Sequence, residues 1–236
     1  MKLDKLCIVI PVYNNPKTIA QVVSEAGTFG LTIIVVDDGS NILVETLLKK
    51  DEKIVIVRHP TNEGKGVALR SGAKQAKELG FDYCLTMDGD GQHFADDIPT
   101  FLDLFEKEKK ADMMIIGVRD FETCNPPKSS SIGRSLGNFW VWVETGTWVS
   151  DTQTGFRLYP VEFLLYPSAA IRYDFETENI VRFLWVGGTI FEVMVKTVYD
   201  ETRVTHFHKL KDNLFMVILH TKLVLSRIFL LKGILK

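Results

Sequence analysis

Three observations predict an α/β fold with a doubly wound, mostly parallel sheet and helices on both faces. Strand-like and helix-like segments alternate from residue 6 to residue 117. The strand-like runs are continuously apolar, as in strands covered on both sides, rather than alternating. Polar, Gly-rich clusters follow the strands, at the edge where α/β sheets bind ligands.

Residues 6–12 (Leu-Cys-Ile-Val-Ile-Pro-Val) are the first strand, ended by Pro11 and the turn residues Tyr13-Asn14-Asn15-Pro16. Helical spacing follows over 17–28, with Ile19, Val22, Val23 and Ala26 on one face. A second strand, 31–36, stops at Asp37-Asp38-Gly39-Ser40, and a short helix is expected over 42–50. Ile54-Val55-Ile56-Val57 is the third strand. The loop Asn62-Glu63-Gly64-Lys65-Gly66 then leads into a helix carrying Val67, Leu69, Ala73 and Ala76. Residues 83–87 form a fourth strand ending at Asp88-Gly89-Asp90-Gly91. A helix near 97–109 and a fifth strand over 113–117 complete this half.

The second half is less regular. Residues 120–131 are rich in Pro, Ser and polar groups and read as a mobile loop. Trp140, Trp142 and Trp148 lie in an apolar stretch, residues 151–155 form another loop, 174–186 is helical and 189–198 is a strand. The tail 213–235 is apolar, interrupted by His220, Lys222, Arg227 and Lys232, whose charges share no single face. Such a helix calls for cover, by the domain, by a second copy of the chain, or peripherally by a membrane surface. The expected organisation is one α/β domain over 1–210 and an apolar helical extension over 211–236.

The composition is that of an ordinary globular chain: 236 residues, 46% apolar and 25% charged. A net charge of -2 excludes a global attraction to nucleic acid. The three cysteines, Cys7, Cys84 and Cys124, are too few and too scattered for a disulfide framework, and a cytoplasmic setting is expected. No signal-peptide pattern or membrane-spanning run is expected.

Asp88 and Asp90 close a buried strand, with Gly89 and Gly91 permitting a sharp turn. Two carboxylates this close repel unless a cation joins them, and Mg²⁺ or Mn²⁺ is commonly held by one or two carboxylates plus substrate phosphates. Gln92 and His93 add neutral donors beside them. A solvated Asp-Gly turn would look the same in isolation. Here, however, the pair shares a sheet edge with two other polar clusters. Asp37 and Asp38 suit ribose hydroxyls or base N–H groups, and equally a helix cap or an Asx turn. Lys65 can reach a base or phosphate, although the loop lacks the Walker spacing.

Taken together, Val9-Ile10-Pro11-Val12-Tyr13-Asn14, Val36-Asp37-Asp38-Gly39-Ser40, Asn62-x-Gly64-Lys65-Gly66 and Met87-Asp88-Gly89-Asp90-Gly91-Gln92-His93 resemble the family 2 glycosyltransferases in order and spacing. Gly117-Val118-Arg119, Arg134-Ser135, Asp151-Thr152-Gln153-Thr154-Gly155-Phe156-Arg157 and Phe175-Glu176-Thr177-Glu178 resemble the dolichyl- and polyprenyl-phosphate mannose synthase branch. The resemblance covers roughly residues 6–200.

It implies a GT-A fold and an inverting, metal-dependent sugar transfer in glycan biosynthesis at the cell envelope. The donor would be a UDP- or GDP-linked sugar, and the acceptor a glycan or a polyprenyl phosphate. Mg²⁺ or Mn²⁺ would sit at Asp88, Asp90 and Gln92. Pro11, Tyr13, Asp37, Asp38 and Lys65 would line the donor pocket, with Arg119 and Arg134 on a phosphate. Asp151 is the candidate base, and Glu176 and Glu178 are substitutes for it or structural groups. Asn14-Asn15 departs from the branch's Asn-Glu. The basic, aromatic segment 203–209 resembles relatives acting on bacterial glycans. The competing readings are a nucleotidyltransferase and a nucleotide-sugar-binding module without activity.

Overall fold

A computed structural model describes residues 3–120, 128–168, 170–198 and 209–228. Seven strands form one sheet: β1 Leu6–Val12, β2 Thr32–Asp37, β3 Ile54–Arg58, β4 Tyr83–Thr86, β5 Met113–Arg119, β6 Arg157–Pro160 and β7 Thr189–Val195. Their order is β3-β2-β1-β4-β6-β5-β7. Strands β3, β2, β1 and β4 run parallel, β7 runs parallel to β5, and β6 is inserted antiparallel between β4 and β5.

The helices are α1 Ile19–Gly27, α2 Lys65–Glu78, α3 Ile98–Glu108, α4 Lys128–Thr145, α5 Val161–Leu164, α6 Asp174–Trp185 and α7 Lys209–Ile228. Every residue of β1 is buried, because each pleat face meets its own apolar layer. On one side Ile8, Ile10, Ile33 and Leu85 pack with Ile19, Val22, Phe101 and Phe105. On the other, Cys7, Val9, Ile34 and Cys84 pack with Leu69, Ala73 and Phe175. Burial pushes the Cys7 thiol up to about 12, so both of these cysteines serve as small apolar groups.

The alternating half agrees with the sequence to within two residues at each strand boundary. The helix expected over 42–50 is instead a single 3₁₀ turn at Val44–Thr46, because Asp37 accepts the backbone N–H groups of Ser40 and Val44 and holds this stretch as a loop. Residues 128–131, expected in a loop, open α4. Cys124, most of the segment 203–209 and the tail beyond residue 228 lie outside the described residues.

Helix α7 packs on α4 and α6 through buried Leu219 and Leu223. A buried polar contact fixes it there: His220 Nδ1 lies 2.8 Å from Glu144 Oε1. Among the described residues no helix is long and apolar enough to cross a membrane.

Candidate active site

The C-terminal ends of β1, β2 and β4 and the N-terminus of α2 face one open cleft. Pro11, Tyr13, Asp38, Lys65, Asp88 and Asp90 line it, together with Asn15, Asn62 and Gly64. Three clusters separated in sequence therefore meet at one sheet edge, as the alternation of elements requires.

The turn after β4 is held from below. Thr18 Oγ1 donates to the Gly89 carbonyl at 2.7 Å, and the Gln92 N–H donates to Asp90 Oδ1 at 3.0 Å. Gly91 sits at φ +77°, a conformation that favours glycine. The loop before α2 depends on Asp38. Its Oδ1 accepts from the Glu63 N–H and lies 2.7 Å from His59 Nδ1, while its Oδ2 accepts from the Gly64 N–H at 2.9 Å. Asp38 thus shapes the loop before α2 while lining the cleft.

Lys65 is the electrostatic centre. Its ammonium lies 2.6 Å from Asp88 Oδ1 and 2.8 Å from Glu176 Oε1. Burial disfavours charge on Lys65, but the Asp88 and Glu176 carboxylates outweigh it and hold the ammonium well above the usual lysine range. Burial likewise opposes ionisation of Asp88. Lys65 and His93, whose Nε2 is 3.7 Å from Asp88 Oδ2, nonetheless keep that carboxyl well below its ordinary value. Burial raises the pKa of Glu176, with Lys65 pulling the other way and Asp88 adding to the rise. Gly155 lies directly against the pair: a Cβ there would stand 2.5 Å from Asp88 Oδ2 and 2.7 Å from Lys65 Nζ.

A second polar assembly stands outside the residues that line this cleft. Arg119, at the end of β5, grips Asp151 with two donors, Nε to Oδ2 at 2.7 Å and Nη2 to Oδ1 at 2.9 Å. Arg134 on α4 donates to the Arg119 carbonyl at 3.4 Å. Asp151 is fully buried. Burial opposes its charge, but the hydrogen bonds and charge of Arg119 win and lower its pKa. With both oxygens serving Arg119, it is a weaker base than an ordinary aspartate and an orienter of that guanidinium. Arg157, buried in β6, ties the two assemblies together by donating to the carbonyls of Glu176 at 2.6 Å and Thr152 at 2.9 Å.

Asp37 is turned away from the cleft. It pairs with Arg58 and accepts from Ser40 and Val44. Gln92 is buried, and its amide donates to the Val198 carbonyl at 3.3 Å. Arg172 and Tyr173, just before α6, also line the cleft. They were not singled out in the sequence. A basic-aromatic pair next to the Phe175-Glu176-Thr177-Glu178 motif was the available signal. Glu178 pairs with Arg182 one turn on and with Ser168, which makes it structural.

Among the described residues no group of three or more His, Cys, Asp and Glu is arranged to hold a metal ion. Asp88 and Asp90 do both face the cleft, and two carboxylates completed by ligand phosphate oxygens are a normal magnesium environment. The residues fit a cation that arrives with a phosphorylated ligand, not one caged by the protein.

Residues 7–165 match the family model described as glycosyl transferase family 2. The chain belongs to the family 2 glycosyltransferases. It is 31% identical over 222 residues to the UDP-N-acetylglucosamine–dolichyl-phosphate N-acetylglucosaminyltransferase of Methanococcus voltae, covering 84% of this chain and 88% of that protein. It is 26% identical over 215 residues to the undecaprenyl-phosphate mannosyltransferase of Micrococcus luteus, covering 84% and 85%. The fold of this glycosyltransferase matches glucosyl-3-phosphoglycerate synthase from Mycobacterium tuberculosis, crystallised with Mn²⁺, UDP-glucose and phosphoglyceric acid. That match has a TM-score of 0.67 and 19% identity, and covers 94% of this chain and 79% of that one.

Proposed function

We propose that this glycosyltransferase moves a sugar from a nucleoside diphosphate donor to a polyprenyl phosphate, with a divalent cation at Asp88 and Asp90 and inversion at the sugar carbon. The observation that carries this reading is the cleft that gathers Lys65, Asp88 and Asp90 at one sheet edge. The names of the methanogen and Micrococcus relatives favour a polyprenyl-type phosphate acceptor. UDP as the donor nucleotide is favoured by the first of these and by the bound ligand of the mycobacterial structure.

In this reading Pro11, Tyr13 and Asp38 hold the nucleoside. Lys65 meets the diphosphate, and Arg119, oriented by Asp151, meets a phosphate with its forked donors. When bound, Mg²⁺ or Mn²⁺ supplies Lewis-acid stabilisation of the diphosphate leaving group. A phosphate acceptor is anionic at neutral pH, so the displacement needs no strong base, and a carboxylate tied to Arg119 suffices as a scaffold. The acceptor class resides in a bilayer. Exposed Phe139 and Trp142 on α4, with Leu214, Val217 and Leu225 on α7, supply apolar surface for peripheral contact there.

The test is transfer of radiolabelled sugar from UDP- and GDP-sugars to undecaprenyl phosphate or dolichyl phosphate in detergent. Label entering the organic phase supports the proposal. Label passing instead to a water-soluble acceptor such as 3-phosphoglycerate refutes the lipid reading.

A further inference from the structure

Lys65 occupies the place where the proposed cation must act. Its ammonium lies 2.6 Å from Asp88 Oδ1, so it and a divalent ion would compete for the Asp88 carboxylate. An ion pair this short in a buried site would resist exchange unless the ammonium had somewhere else to go. Glu176 supplies that place. Its Oε1 lies 2.8 Å from Nζ, and its side chain is 5% exposed against 22% for Asp88. The helix position of Glu176 is fixed, because buried Arg157 donates to its backbone carbonyl at 2.6 Å. The Tyr173 ring, 5.8 Å from Nζ, adds a second favourable surface for the ammonium.

We infer that Glu176 is a positioning residue which retains Lys65 at the cleft wall when a cation takes Asp88, so that Lys65 changes from counter-ion of Asp88 to contact for the donor diphosphate. The inference rests on the metal-dependent reading above and extends it to a residue which that reading leaves without a role. Without the Glu176 charge, Lys65 has one carboxylate partner instead of two and holds Asp88 more tightly. A cation must then displace a stronger pair.

The experiment is a Mn²⁺ titration of thermal stabilisation at fixed UDP for the wild type, Glu176→Gln, Glu176→Asp, Lys65→Met and the Lys65→Met/Glu176→Gln double variant. The expected result is a Glu176→Gln protein that folds, with a Mn²⁺ midpoint about tenfold higher, the equivalent of one modest charge interaction. Glu176→Asp, which keeps the charge on a shorter arm, raises the midpoint by less than Glu176→Gln does, and Glu176→Gln adds nothing in the Lys65→Met background. An unmoved midpoint in Glu176→Gln, or the same shift with Lys65 absent, overturns the positioning role alone. If Glu176→Gln does not fold, Glu176→Asp decides: a midpoint equal to wild type despite the shortened arm overturns the role, and a raised one supports it. A wild type stabilised by UDP equally with Mn²⁺ or EDTA overturns the metal reading, and this inference with it.

Discussion

Individual side chains in this enzyme carry either the cleft or its supports, and the two respond differently to change. Gly155 lies against the ion pair that lines the cleft. A methyl group there meets Asp88 Oδ1 at 2.6 Å and Lys65 Nζ at 2.7 Å, so Gly155→Ala must push the ion pair aside. The expected outcome is a loss of nucleotide affinity in calorimetry, with at most about 1–3 kcal/mol taken from folding stability.

Asp151 belongs to the supports. Asp151→Asn leaves Arg119 without its buried countercharge and is expected to cost about 3–5 kcal/mol in urea unfolding. Its pH dependence has a definite sign. The folded pKa is depressed, so the stabilisation is complete above the ordinary aspartate value of about 3.9 and is lost as pH falls through the lowered one. Between pH 5 and pH 3 the wild type therefore loses more stability than Asp151→Asn. Parallel curves would show that the pair contributes nothing.

At the scale of elements, the entry to α2 decides whether the cleft exists. Gly64 sits at φ +102°, and a Cβ there would be 2.4 Å from the Ile171 carbonyl oxygen. Gly64→Ala combines backbone strain of about 1–3 kcal/mol with that clash, and circular dichroism melts should show both a lower Tm and lost nucleotide stabilisation. The elements also show what a sequence discloses. Strands β1, β2, β4 and β5 were legible because burial on both faces leaves unbroken apolar runs such as Ile33 to Val36, and half-buried β3 at the sheet edge carries a similar run. Strand β6 was not. Its four residues, Arg157-Leu158-Tyr159-Pro160, hold a buried arginine and a proline, and their pairing with β4 and β5 is a long-range choice that no local period encodes. Helix α4 was not read as a helix: Ser129 to Ser131 carry weak helix propensity, and the Trp-bearing stretch after them showed only as apolar.

The site divides along the same line. Asp88, Asp90 and Lys65 could be placed in one crevice because topology sends strand ends to one edge. The turning of Asp37 toward Arg58, and the pairing of Asp151 with Arg119 across 32 residues, depend on three-dimensional neighbours that spacing does not reveal.

For the whole molecule, the tertiary question is how α7 is kept on the body. Glu144 is fully buried, with one oxygen toward His220 and the other without a hydrogen-bond partner among the described residues, so the helix is anchored by this contact and by Arg227, which donates to the Val143 carbonyl of α4, both set among apolar contacts. His220→Ala removes the Glu144 contact and is expected to cost about 1–3 kcal/mol, visible as a lower unfolding midpoint with sugar transfer unchanged at low temperature. Loss of transfer at full stability would mean that α7 takes part in catalysis.

The measurement that bears most directly on the glycosyltransferase cleft is calorimetric and thermal titration of UDP and GDP, with Mn²⁺ or with EDTA, on the wild type and Asp90→Ala. One nucleotide is predicted to stabilise the wild type by about 2.7 kcal/mol at 100 times its dissociation constant, only with metal, and Asp90→Ala to lose the effect. Equal stabilisation of both proteins, or none by any nucleotide, would contradict a donor site at Asp88 and Asp90.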